Sequence, residues 1–222
     1  MTTALMDTEH ARWLALEQQI RPWMPAISPE LAQAFLQIPR ENFAPEALRG
    51  VALTDTELPL GGGQIMLSPK VQVRLVHELQ LKPTDRVLQI GAGTGYMTAL
   101  IAHLAASVVA YECDRDLANT ARLNLMQAKM DKAQIIAADI TESQTTGAFD
   151  AIVFCGGVAH MPTAWAQRLN DGGRLVAIVG QDPMMRTTVL TRHSDTRNSQ
   201  TQPWDTLAPY LRGFELAPSF AL

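Results

Sequence analysis

The stretch Arg86-Val-Leu-Gln-Ile-Gly-Ala-Gly-Thr-Gly-Tyr-Met97 narrows the folds open to this chain more than any other. Val87 to Ile90 reads as a short buried strand, Gly91-Ala-Gly-Thr-Gly95 as a tight turn, and a helix opens at Tyr96 and runs through Ala102. Glycine at 91, 93 and 95 lets the backbone take positive φ and lets a ligand approach without meeting a Cβ. A Gly-x-Gly-x-x-Gly turn would point to a dinucleotide whose pyrophosphate rests on the helix N-terminus. Here Tyr96 holds the sixth position, so the pattern is Gly-x-Gly-x-Gly. Without the third glycine, close helix–strand packing around a pyrophosphate is weakened.

A second strand is expected over 106–111, and it ends at Glu112, which lies 21 residues beyond Gly91. That is the separation expected of an acidic residue closing the second strand of a βαβ unit. A carboxylate there accepts both ribose hydroxyls of a nucleoside, in charge-assisted bonds of roughly 1.5–3 kcal/mol each. The plainer alternative is an exposed charge at a strand end. Leu117 to Lys129 reads as an amphipathic helix, and Ala133 to Ala138 as a third strand finished by Asp139. Asp139 stands at a carboxyl end, where open α/β sheets bind ligands. It either holds an adenine amino group or caps the following turn.

Phe149 to Phe154 is a fourth strand followed by a small-residue turn at Cys155-Gly-Gly157. A helix over Met161 to Leu169, a turn at Asn170-Asp-Gly-Gly173 and a fifth strand over Arg174 to Val179 come next. Met184 to Arg192 fits a further strand, His193 to Gln202 an exposed hairpin loop, and Trp204 to Tyr210 a last strand. Alternating strands and helices predict an α/β fold, a doubly wound and mostly parallel sheet with helices on both faces.

Two helices precede this core. Glu9 to Ile20 carries helical apolar spacing and stops at Arg21-Pro22, because proline disfavours a helical residue before it. Ser28-Pro29 is a good start for the second, with serine as N-cap and proline at the first helical position, and Pro39 breaks it. The division expected is an N-terminal helical extension with a glycine-rich segment over 1–67, and a core over 68–222. Gly61-Gly-Gly63 reads either as a flexible connection or as a lid on a ligand. Ser68-Pro69 then opens a helix that runs from Val71 to Leu81.

Composition removes several classes. A formal charge of −4 argues against a broad nucleic-acid footprint, which needs surplus Lys and Arg. No apolar run approaches the ~20 residues of a membrane span. The N-terminus lacks the basic and apolar regions of a signal peptide, so a cytoplasmic protein is expected. Cys113 and Cys155 have neither CxxC spacing nor a histidine cluster beside them, which reads as reduced thiols and no metal site.

The five-residue glycine loop resembles the nucleoside-binding loop of S-adenosylmethionine (SAM) methyltransferases. Further landmarks extend the resemblance: Pro39-Arg-Glu-Asn-Phe-Ala-Pro45, Leu58-Pro-Leu-Gly-Gly-Gly-Gln64, Phe149-Asp-Ala-Ile-Val153 and Gly172-Gly-Arg-Leu-Val176. Together these segments resemble the protein-L-isoaspartate O-methyltransferase family over roughly residues 17–182. The resemblance implies a Rossmann-like class I methyltransferase fold, SAM as cofactor, and a carboxylate of an isomerised aspartate in a damaged protein as acceptor. It implies a cofactor site built from Gln64, Gln89, Gly91, Ala92, Gly93, Gly95, Tyr96, Glu112 and Asp139.

Two positions depart from the family pattern. Where its segment after Gly-Gln reads Thr-Ile-Ser-Gln-Pro, this chain reads Ile65-Met-Leu-Ser-Pro69. Leu67 takes the position of the family's active-site serine, and Ser68 is either an N-cap or a displaced catalytic hydroxyl. Gln89 replaces an acidic residue, so it brings hydrogen bonds but no negative charge toward the cofactor. His160, beyond the fourth strand, is expected to be a surface or loop-packing histidine before it is an acceptor contact. These departures leave two alternatives open: a small-molecule acceptor against Ile65, Met66 and Leu67, or a non-catalytic SAM-binding protein.

Overall fold

The structure is a computed structural model and describes residues 2–142 and 146–216. The chain enters through helix α1 (Thr2–Ala15), which passes into a π-helical turn at Leu16–Ile20 and a 3-10 turn at Arg21–Trp23. The first helical segment therefore begins earlier than its apolar spacing suggests and changes pitch before Pro22. Helix α2 (Pro29–Gln37) is capped by Ser28, whose Oγ accepts from the Leu31 N–H at 3.2 Å.

Strands β1 (Leu58–Gly61) and β2 (Gln64–Met66) form a small antiparallel hairpin. Gly61, Gly62 and Gly63 all take positive φ (96°, 58° and 78°), which turns the chain back on itself within two residues. Gly61–Gly63, expected as either a flexible connection or a lid, is the tip of this hairpin. Helix α3 (Pro69–Leu79) follows, then β3 (Arg86–Ile90), α4 (Tyr96–Leu104), β4 (Ser107–Glu112), α5 (Arg115–Gln127) and β5 (Ala133–Ala137). Strands β6 (Phe149–Val158), β7 (Leu169–Gln181), β8 (Met184–Ser194) and β9 (Arg197–Asp205) complete a seven-stranded sheet.

Its order is β5-β4-β3-β6-β7-β8-β9. The first five of these strands run parallel, and β8 and β9 add antiparallel. The chain winds outward from β3 to β5, crosses back to β6 beside β3, and winds the other way. That reversal is the topological switch point at which open α/β sheets form a ligand crevice. The register aligns its rim, with Ile90 paired to both Tyr111 and Phe154.

Apolar side chains fill both faces of the sheet. One core joins Leu31 and Phe35 of α2 to Val73 and Val76 of α3 and to Leu100 of α4. The other joins Leu88 and Ile90 to Phe154, Leu175 and Leu190. The N-terminal helices therefore share the core of the sheet's first face.

Five sequence expectations change in the second half. Cys155-Gly-Gly157 is part of β6, where a bulge between Val153 and Gly157 keeps the strand paired. It is held by the C-terminal segment: the Gly157 N–H donates to the Pro209 carbonyl at 2.7 Å, and the Leu211 N–H to the Gly157 carbonyl at 2.9 Å. Asn170–Gly173 is likewise a bulge inside β7, since Phe149 pairs Leu169 while Ala151 pairs Arg174. The helix expected over Met161–Leu169 is a 3-10 turn at Thr163–Arg168, with the Arg192 guanidinium donating to the Leu169 carbonyl at 2.7 Å. The polar stretch after His193 is no loop: β8 continues to Ser194 and β9 starts at Arg197. The last strand expected over Trp204 to Tyr210 instead ends at Asp205, and the Tyr210 backbone meets the sheet at an isolated bridge to Gly157.

Candidate active site

The glycine turn is tied to the end of β4. The Gly91 and Ala92 N–H groups donate to the Tyr111 carbonyl at 2.9 and 3.1 Å. The Gly93 N–H donates to Glu112 Oε2 at 2.7 Å, and the Asp114 N–H to Glu112 Oε1 at 3.0 Å. Glu112 is 3% exposed, so these are bonds to a buried charge. Its Oε1 also receives the Cys113 thiol at 3.7 Å, while among the described residues Oε2 takes Gly93 alone. A carboxylate oxygen has two lone pairs, so Oε2 keeps accepting capacity at the cleft wall.

Gln89 is completely buried two residues before the loop. Its Nε2 donates to the Gly91 carbonyl at 3.3 Å, and its Oε1 has no hydrogen-bond partner among the described residues. Cys155 lies beside it, its thiol pushed well above the ordinary range by burial, with a hydrogen bond from Gln89 opposing. A neutral thiol and a neutral amide therefore line this end of the cleft. The Cys113 thiol at the other end is also raised, by burial first and by the Glu112 charge second.

Gln64 reaches across from the hairpin, Nε2 donating to Asp114 Oδ2 at 3.3 Å. Asp114 Oδ1 meanwhile caps α5 through the Asp116 and Leu117 N–H groups. The hairpin is thus anchored over the loop end of β4. Asp139 Oδ1 accepts from the Thr141 N–H at 2.9 Å and its hydroxyl at 2.7 Å, the turn-capping arrangement, while the residue also lines the cleft. Both roles left open by the sequence are compatible with that position.

These groups surround one cleft enclosing about 1230 Å³ of free space, part of it open to solvent. Gln64, Gln89, Gly91, Ala92, Gly93, Tyr96, Glu112 and Asp139 all line it. Gly95 does not; it starts α4 behind the loop. Ser68 is also off the wall, and its Oγ accepts from the Val71 N–H at 3.5 Å as the N-cap of α3. Leu67 does reach the wall, 4% exposed. His160 is exposed and outside the cleft, whereas both cysteines line it.

No local sequence pattern marks the far wall. Tyr210, Leu211 and Arg212 line it because the C-terminal segment folds back along β6, and the Tyr210 hydroxyl donates to the Gly180 carbonyl at 2.9 Å. Nor does local pattern distinguish Arg40 within its proline-bounded block. It is fully buried, donating from Nε to the Ala52 carbonyl at 2.7 Å, from Nη2 to the Leu67 carbonyl at 2.9 Å, and from Nη1 to Gln72 Oε1. Its guanidinium also lies 5.4 Å from the Tyr96 ring centroid. Burial lowers its pKa to about 10, which leaves it charged at neutral pH.

The cleft suits a nucleoside joined to an amino acid. It offers a side-chain-free loop, a buried carboxylate with accepting capacity for ribose hydroxyls, and an orphaned buried acceptor for a further donor. A doubly wound sheet with such a site at its switch point is the architecture of class I SAM-dependent methyltransferases. Residues 15–207 match the family model of Protein-L-isoaspartate(D-aspartate) O-methyltransferase, and the chain belongs to that family. SAM is its cofactor.

Named relatives agree. A protein-L-isoaspartate O-methyltransferase of Rhodopseudomonas palustris is 38% identical over 75% of this chain and 69% of its own. One from Methanoculleus marisnigri is 40% identical over 66% of this chain and 67% of its own. Among solved structures, a Plasmodium falciparum candidate protein-L-isoaspartate O-methyltransferase in complex with S-adenosyl-L-homocysteine superposes with TM-score 0.75 at 20% identity, covering 92% of this chain and 98% of that one. Another protein-L-isoaspartate O-methyltransferase gives 0.76 at 21% identity, covering 93% and 66%. These two likenesses concern the fold. Among the described residues no helix is long and apolar enough to cross a membrane.

Proposed function

We propose that the protein methylates the carboxylate of isomerised aspartyl residues in damaged proteins. The observation that carries the site assignment is the Glu112 lock. One buried carboxylate holds Gly93 and Asp114 and still has accepting capacity at the cleft wall. In this reading Glu112 takes the ribose hydroxyls, and the Gly91–Gly95 loop provides the close backbone approach. Gln89 Oε1 takes a donor from the amino-acid end of the cofactor, Asp139 borders the base, and Gln64 holds the hairpin over the loop. Ser68 serves as the α3 cap.

When bound, SAM supplies an electrophilic methyl, whose carbon bonds to the acceptor oxygen as its carbon–sulfur bond breaks with the electron pair kept on sulfur. An acceptor carboxylate with an ordinary pKa near 4 is already ionised at pH 7, so no side chain has to remove a proton. The residues of the cleft then position and exclude water, through Leu60, Ile65, Leu67 and the Tyr210–Leu211 wall. Those apolar residues also support a second reading, an uncharged or partly apolar small-molecule acceptor.

Transfer of labelled methyl from SAM to a peptide carrying one isoaspartyl residue tests the proposal, with the aspartyl peptide as control. Base-labile methyl ester on the isoaspartyl peptide alone is the expected result. Turnover of a metabolite extract with none of either peptide would establish the second reading instead.

A further inference from the structure

We propose that Arg40 is a positioning residue for the acceptor: its buried guanidinium fixes the Leu67 segment and holds a positive charge behind the wall on which the acceptor carboxylate rests. This rests on the carboxylate acceptor proposed above. Three donors of one side chain reach three separate segments: the Ala52 carbonyl, the Leu67 carbonyl between β2 and α3, and Gln72 in the first turn of α3. Leu67, Gln72 and Tyr96 each touch Arg40 on one side and line the cleft on the other. The charge is therefore one side chain behind the cleft.

Its partners are carbonyls, an amide and an aromatic face. Among the described residues no carboxylate forms an ion pair with Arg40; the adjacent Glu41 is taken by Arg12. Arg12, Arg40 and Glu41 together leave one net positive charge in a buried cluster. Burying a cation without an acid is costly, and neutral donors would serve if holding carbonyls were the whole task. A fixed cation in a dry wall attracts an anion far more strongly than in water, so the retained charge matches an anionic acceptor.

The sign separates binding from chemistry. As the carboxylate is esterified, its negative charge cancels the sulfonium's positive one, so the field of Arg40 favours the bound anion more than the transition state. Loss of the charge should raise KM for the acceptor and leave kcat nearly intact.

The test uses the full chain, an isoaspartyl peptide, and S-adenosylhomocysteine titrated by calorimetry. In Arg40→Gln, KM for the peptide should rise at least tenfold, kcat should change less than threefold, and S-adenosylhomocysteine affinity should stay within twofold. Arg40→Lys, which keeps the charge and loses the fork, should recover most of the KM. Equal KM values in Arg40→Gln and wild type, or equal defects in the Gln and Lys variants, would overturn the role. If Arg40→Gln does not fold, Gln72→Glu decides: it sets a carboxylate on the guanidinium with little change of shape and should raise KM at least fivefold, and an unchanged KM would overturn the role. A wild-type protein that neither binds nor methylates the isoaspartyl peptide would overturn the acceptor assignment and this role with it. Wild-type turnover with insensitive variants would overturn the role alone.

Discussion

Gln89 carries two opposed properties on one amide. Its Nε2 is held by the Gly91 carbonyl, while its Oε1 sits in a fully buried position with no donor among the described residues. An unsatisfied buried acceptor costs about 1–3 kcal/mol, and a ligand N–H or O–H at the cleft wall would recover that. Gln89→Leu should therefore weaken S-adenosylhomocysteine binding by about fivefold or more, while the melting temperature of the ligand-free protein stays level or rises. Calorimetry and thermal unfolding on the same preparation read the two effects. Lower stability together with unchanged affinity would show that the amide serves the loop and no ligand.

Helix α3 starts from Ser68, one place beyond the position that the family's serine holds, where the side chain caps the helix. Ser68 Oγ accepts the Val71 N–H at 3.5 Å, a long bond, so Ser68→Ala should destabilise the protein near the lower end of the ~0.5–2 kcal/mol range for N-caps. Methyl-transfer kcat should remain within threefold; a hundredfold fall would instead make the hydroxyl part of the chemistry. The same element also shows what local pattern could deliver. Serine before proline marked the start of α3, and the largely apolar runs at 87–90 and 106–111, interrupted by Gln89 and Ser107, marked β3 and β4, because parallel strands covered on both faces read as near-continuous apolar segments. Edge elements did not follow that rule. β9 is exposed along most of its length, so its polar residues resembled a loop even though its backbone pairs with β8. The bulges at 155–157 and 170–173 contain the glycines of ordinary turns, and only pairing with distant segments keeps them in strands. The site divides in the same way. Glu112, Gly91 and Gly93 were readable from spacing within one βαβ unit, whereas Tyr210–Arg212 reach the cleft, and Arg40 backs its wall, through contacts far apart in sequence.

Across the molecule, cleft-lining and stabilising groups lie at opposite ends of the parallel strands. Glu112, Gln89 and the loop gather at the carboxyl ends; Asp150, at the start of β6, ties together the amino-terminal ends. Its Oδ2 accepts the Arg86 N–H of β3 at 2.8 Å, and its Oδ1 accepts the Asn170 amide of β7 at 2.7 Å. Partial burial alone would raise the Asp150 pKa; these hydrogen bonds and the Arg174 and Arg86 charges outweigh it and set the pKa below its ordinary 3.8. A carboxyl group whose folded pKa is depressed stabilises the fold above its unfolded pKa, and that contribution disappears as pH falls through the folded value. Asp150→Asn keeps the shape and removes the charge. Its urea midpoint should lie below wild type at pH 7, and the gap should narrow steadily as pH drops below about 4. S-adenosylhomocysteine affinity at pH 7 should not change, because the substitution lies at the far end of the strands from the cleft. A midpoint gap that stays constant from pH 7 to pH 2 would place the effect in the hydrogen bonds rather than in the charge.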